Sequence, residues 1–125
     1  MTLNGANWFE DIHWMIMNRF ILFQHKTSEI SINIEAYFDG DKLVIEGYDI
    51  GKSVEEAFGD SDYEYSVTVT GDEVIKLYSL MQVKECDKEG LLRAIADKYH
   101  TNTCYSEFRD FLDRNGIKSQ GFSWA

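Results

Sequence analysis

Proline is absent from this chain, cysteine occurs only at Cys86 and Cys104, and histidine only at His13, His25 and His100. Without proline, glycine and asparagine are the strong backbone punctuation, and element boundaries must be read from caps and changes of period. Neither cysteine sits in a C-x-x-C, and two isolated thiols in an ordinary domain read as reduced cysteines of a cytosolic protein. The histidines lack metal spacing such as H-x₃-H, so no zinc scaffold is present. No P-loop, G-x-G-x-x-G or G-x-S-x-G occurs, and no cofactor is expected. Long apolar runs are missing too. "WMIMNRFILF", Trp14 to Phe23, carries Asn18 and Arg19 inside it and follows Glu10 and Asp11 rather than basic residues. It is neither a signal peptide nor the ~18–20 apolar residues of a membrane helix. The expectation is a soluble, cytoplasmic protein with no membrane contact.

What is present suffices for a core. A chain of 125 residues, 44% hydrophobic and 14% aromatic, fits one domain spanning 1–125 and needs no covalent staple. Net charge is −10, and its distribution matters more than its size. Between Glu35 and Glu73 there are 12 acids against Lys42 and Lys52, while the rest of the chain balances 10 acids with 10 bases. Direct nucleic-acid binding needs a basic patch and is disfavoured. An acidic surface favours a basic protein partner, a cation or plain solubility.

The periodicity divides the chain. "EISINIEAYF" alternates, with Ile30, Ile32, Ile34, Ala36 and Phe38 on one parity, which predicts a half-buried strand. Asp39-Gly40-Asp41 predicts a hairpin turn, and "KLVIEGYDI" the partner strand. "GKSVEEAFGDS" predicts a connection with a helical turn. "DYEYSVTVT" predicts a third strand burying Tyr63, Tyr65, Val67 and Val69. Thr70 and Glu73 then form a T-x-x-E capping box, opening a helix with Val74, Leu77, Tyr78 and Met81 inward. A second helix follows Asp87, with Leu91, Leu92, Ile95 and Tyr99 on one side and His100 at its end. A third begins near Thr103 and stops at Asn115-Gly116. "IKSQGFSW" predicts a short last strand. The N-terminal residues read as a helix or irregular lead-in, with a strand from about Arg19. Strands first and helices later predict an α+β fold, an antiparallel sheet of three to five strands packed by about three helices.

Asp60, Asp62 and Glu64 stand at every second position. As an EF-hand loop starting at Asp60 they fail, because the sixth and twelfth positions hold Tyr65 and Gly71 rather than glycine and glutamate. As catalytic carboxylates they lack the contrast of environments that separates an acid from a base. Their parity is that of Ser66, Thr68 and Thr70, the wet side of a strand. Tyr63 and Tyr65 read as core, whereas Tyr48 and Tyr37 read as surface rings among acids, a good docking chemistry. Cys104, near a helix start, has either a lowered thiol pKa or a buried packing role.

The stretches Gly47-Tyr48-Asp49-Ile50-Gly51, Val54 through Tyr65, Phe108 through Ile117, and Phe122 with Trp124 together resemble a family of small, uncharacterised bacterial proteins with a G-D-S-D-Y-E-Y motif. The likeness spans about Leu43 to Trp124. It implies a stable domain and carries no catalytic residue. More loosely, the size, acidity and α+β character are similar to bacterial toxin-immunity proteins. The sequence therefore points to a non-enzymatic, acidic interaction module, an immunity-type inhibitor of a basic partner. Its expected contact residues are Tyr48, Asp49, Glu55, Glu56, Asp60, Asp62 and Glu64. The alternatives are a DNA-mimic inhibitor of a DNA-binding protein, a small enzyme or metal-binding domain, and a domain whose acids serve only solubility.

Overall fold

A computed structural model describes residues 19–51 and 62–124. In chain order these form β1 (Arg19–Lys26), β2 (Ile30–Asp39), β3 (Lys42–Gly51), β4 (Asp62–Val69), α1 (Gly71–Leu80), α2 (Lys88–Lys98), α3 (Cys104–Arg114) and β5 (Gln120–Trp124). The strands make one antiparallel sheet in the order β1-β2-β3-β4-β5. Three helices intervene between β4 and β5, which are nonetheless neighbours. The α+β architecture is the one the periodicity predicts. The N-terminal lead-in and the connection after Gly51 lie outside the described residues.

Strand parity decides which face each side chain takes. Ala36 pairs with Ile45 and Ile45 with Val67; Phe38 pairs with Leu43 and Leu43 with Val69. All six are buried. The β2–β3 loop is two residues long, and Gly40 adopts φ +64°, the left-handed conformation such hairpins demand. In β1 the pairing slips between Ile21 and Phe23. This β-bulge lets the consecutive residues Leu22 and Phe23 both reach the core.

The helices cover one face of the sheet. α1 buries Val74, Leu77 and Tyr78; α2 buries Leu91, Leu92 and Ile95; α3 buries Cys104, Phe108 and Leu112. Phe108 is fully buried and meets Tyr99 edge-on, with ring centroids 5.4 Å apart. Burying such a ring contributes about 1.5–3 kcal/mol. Burial raises the Cys104 thiol to about 11, so its place near a helix start does not activate it and the packing role holds. Cys86 is also a free thiol.

Two terminal signals behave differently from one another. Asp87 caps α2 by accepting from the Gly90 N–H at 3.0 Å. Thr70 occupies the N-cap position of α1 but makes no side-chain cap bond, so the expected capping box does not form. The Glu73 carboxylate instead accepts the Lys118 N–H at 2.7 Å and pairs with Lys76 at 3.0 Å. A long-range tie has taken the carboxylate that the box would use, and these bonds hold Glu73 below its ordinary pKa. α2 ends with Lys98 in its last turn and Tyr99 as C-cap, so Lys98 rather than His100 is the cation within the helix end. α3 closes as expected, with Asn115 as C-cap, Gly116 at φ +66° and Ile117 N–H donating to the Leu112 carbonyl at 2.9 Å.

Candidate functional site

The face turned away from the helices is a run of cross-strand rows. One row reads Ile21–Glu35–Glu46–Ser66–Phe122 and the next Gln24–Asn33–Tyr48–Glu64–Trp124. Outside them lie Arg19–Tyr37–Val44–Thr68–Gln120 and Lys26–Ser31–Ile50–Asp62. No described element packs over these rows. Ile21, Ile50, Phe122 and Trp124 are 54%, 39%, 61% and 59% exposed. Ile21 stands at the far edge from Phe122, with Glu35, Glu46 and Ser66 between them, whereas Phe122 and Trp124 are same-face neighbours on β5 and form the apolar part of this surface.

The two halves of this face differ in charge. On the β1–β2 side, one Arg19 Nη1 reaches Glu35 and Glu46, each at 2.9 Å, while its guanidinium lies 3.9 Å from the Tyr37 ring centroid. The Tyr37 hydroxyl donates to Glu46 at 3.1 Å, Asn33 to Glu35 at 2.6 Å, and Gln24 to Asn33 at 3.1 Å. The hydrogen bonds there run from one group to the next, and Arg19 offsets one of the two carboxylate charges. On the β3–β5 side the Tyr48 hydroxyl donates to Asp62 at 3.1 Å. Glu64, half-buried between Tyr48 and Trp124 in register, makes no ion pair with any described residue. A depression of about 270 Å³ opens beside it, lined by Glu46, Tyr48, Glu64, Ser66 and Phe122. Carboxylates flanked by ring faces suit a guanidinium or ammonium group.

The sequence-predicted contact residues are thus divided. Tyr48, Asp62 and Glu64 come together on the open face. Asp49 points to the helix side, where its Oδ1 accepts the Tyr65 hydroxyl at 2.9 Å. Glu55, Glu56 and Asp60 lie outside the described residues. Tyr63 and Tyr65 face the helices as expected, though both are half-buried rather than fully enclosed. Glu46, Ile21, Phe122 and Trp124 are the contributors that sequence reasoning missed. The alternation of Phe122 with Trp124 was visible; the strand that β5 would join was not.

On the helix side, Asp49 opens onto a cleft of about 580 Å³ between α3 and the sheet. Tyr63 and Tyr65, Tyr105 and Arg109 of α3, and Gly121 to Ser123 line it. The Tyr65 ring lies across Gly47, where any Cβ would overlap it. Burial raises the Asp49 carboxyl above its ordinary value, against the opposing pull of the Tyr65 hydrogen bond. Burial, then the neighbouring Asp49 charge, raises Tyr65 as well. Among the described residues no three His, Cys, Asp or Glu side chains are grouped to hold a metal ion, and no helix is long and apolar enough to cross a membrane. No protein-family model matches the chain, and neither does any curated protein or solved structure.

Proposed function

We propose that this chain is a non-enzymatic interaction module that docks a basic protein through its open sheet face and inhibits that partner in the manner of an immunity protein. The observation that carries the reading is the row Tyr48–Glu64–Trp124, a carboxylate between two rings that makes no ion pair among the described residues, on a face that no described element covers. Aromatic surface supplies contact area at low entropic cost, and the carboxylates steer and pair with Lys or Arg. The segment Glu35–Glu73, whose net charge is −10, adds long-range attraction for a cationic partner. Blocking a basic active site by such a face needs no catalytic group on the inhibitor. The resemblance to small bacterial proteins and to immunity proteins is compatible with this role.

A DNA-mimic role has less support. It needs carboxylates spaced like phosphates along an extended surface, roughly one per 1.7 Å of duplex axis. On the described face two of the four acids are already held by Arg19.

Affinity capture on the immobilised chain tests the proposal when wild type is compared with D62K/E64K and W124A and the captured protein is assayed for inhibition. The expected partner is basic, is inhibited by wild type, is released by salt, and is lost from both variants. Retention by both variants, or capture without inhibition, overturns the reading.

A further inference from the structure

On the opposite side of the sheet from the docking face, the cleft beneath α3 carries a second set of groups that the proposed docking does not use. Its two charged ends have opposite sign. At one end stands Asp49, half-buried, with Oδ1 taken by the Tyr65 hydroxyl and no cation beside it among the described residues. An ionised carboxylate offers about four acceptor positions, so one hydroxyl leaves most of that capacity unmet in a partly desolvated setting. At the other end the Arg109 guanidinium rests on Gly121, with Nη2 2.8 Å from where a Cβ would stand. Arg109 has no carboxylate partner among the described residues, and Asn102 and Ser106 line the cleft beside it.

Between these ends run three tyrosines. Tyr63 and Tyr65 have ring centroids 5.2 Å apart, and Tyr105 meets Tyr65 edge-on at 4.8 Å. Rings of this kind give apolar contact and hydroxyl hydrogen bonding together. The cleft volume of about 580 Å³ lies within the ~300–1,000 Å³ usual for small-ligand sites. Asp49 and Gly121 are two strands and four residues apart through the pairing of β3, β4 and β5. Ideal strand spacing makes that about 16 Å between backbones and leaves a gap on the order of 10 Å between the side-chain ends. A free α-amino acid is too short to bridge that gap. A lone anion would face Asp49, and a lone cation would face Arg109. An extended peptide of three residues spans about 10 Å and bears an ammonium at one terminus and a carboxylate at the other.

We propose that this cleft binds a short peptide with free termini, its ammonium on Asp49 and its carboxylate on Arg109, with the tyrosines along its backbone. Asp49 and Arg109 lie on the other side of the sheet from Glu64 and Trp124, although Tyr65 and Phe122 border both the cleft and the depression beside Glu64. Calorimetric titration with trialanine and tetraalanine, and with their N-acetyl and C-terminal amide forms, tests it. At least one free peptide should bind, with each capped form weaker by tenfold or more. Asp49→Asn, which keeps an acceptor for Tyr65, should abolish the penalty for acetylation alone. Arg109→Gln should abolish the penalty for amidation alone. Glu64→Lys, on the other face, should leave peptide binding unchanged while disrupting partner capture, so failure here and failure of the docking reading are told apart. Capped forms that bind as well as free peptides, or no binding of either free peptide at millimolar concentration to wild type with an unaltered melting curve, overturn the proposal.

Discussion

The two faces of this sheet are built from the same strands and read opposite halves of the same residues. The covered face pairs Ile45 with Ala36 and Val67 and is sealed by Leu77, Ile95 and Phe108 from the helices. The open face carries Tyr48, Glu64 and Trp124 in one row and has no layer above it among the described residues. One face spends its side chains on cohesion, the other keeps them available. Away from the Arg19 cluster and the buried Val44, a substitution should therefore weigh mainly on stability or mainly on partner binding according to parity, even between adjacent residues.

The largest test of that division is Phe108→Ala, which should cost about 3–5 kcal/mol in denaturant unfolding because the ring is fully buried. Trp124→Ala, an aromatic deletion on the open face, should change stability by less than about 0.5 kcal/mol while abolishing partner capture. Comparable destabilisation by the two would erase the distinction. Next in size is Gly47→Ala. Its Cβ would displace the Tyr65 ring, with an expected cost of about 1–3 kcal/mol and a lower melting temperature; Gly40→Ala, with open space around it, probes only the left-handed turn. Arg19→Ala should cost about 1 kcal/mol or less, since Arg19 is 37% exposed. The loss should shrink at high salt, and a double-mutant cycle with Glu46→Gln measures the coupling directly.

The smallest effects are in pH dependence, and the two carboxylates on opposite sides of their ordinary values should act in opposite senses. Asp49 has a folded-state pKa raised above its ordinary 3.8, chiefly by burial. Its contribution to stability is therefore present below 3.8 and lost as pH rises through the folded value. Wild type should lose stability relative to Asp49→Asn over that interval. Glu73 lies below its ordinary 4.5 because of the Lys118 N–H and Lys76. Its contribution is present above 4.5 and lost as pH falls through the folded value, so Glu73→Gln should flatten acid unfolding. Urea midpoints measured across the acid range on the two variants decide both signs.

Much of this architecture was legible because local chemistry and tertiary demand agree along most of the chain. Alternation in Ile30 to Phe38 placed β2, the change of period at Thr70 placed the first helix, and Asn115-Gly116 stopped the third. Where they disagree, the sequence misleads. Thr70 and Glu73 have the spacing of a capping box, but Lys118, 45 residues away, claims the carboxylate. Asp49 belongs to the acidic tract by position, yet strand parity turns it from Tyr48 to Tyr65. A charge tract is one-dimensional, and pairing in a sheet splits it between two sides. Leu22 and Phe23 show the converse, since a bulge breaks the alternation that would have sent one of them to water. Phe122 and Trp124 become part of a site only through pairing with β4, which no local pattern announces.

That pairing has a consequence for the order of events in folding. β1 through β3 zip through short turns, but β5 joins β4 only after the 50 residues between Val69 and Gln120 have been gathered in. Loop-closure entropy grows with each doubling of such a span by about 0.6 kcal/mol, so β5 should dock late and fray early. The Glu73–Lys118 bond draws the two ends of that excursion together just before the last strand begins. The exposed indole and phenyl rings should thus reach their places only after the helical layer has assembled. On the proposed docking reading, a half-folded chain would offer a partner the acids and Tyr48 without Phe122 and Trp124, so recognition would double as an inspection of the finished fold.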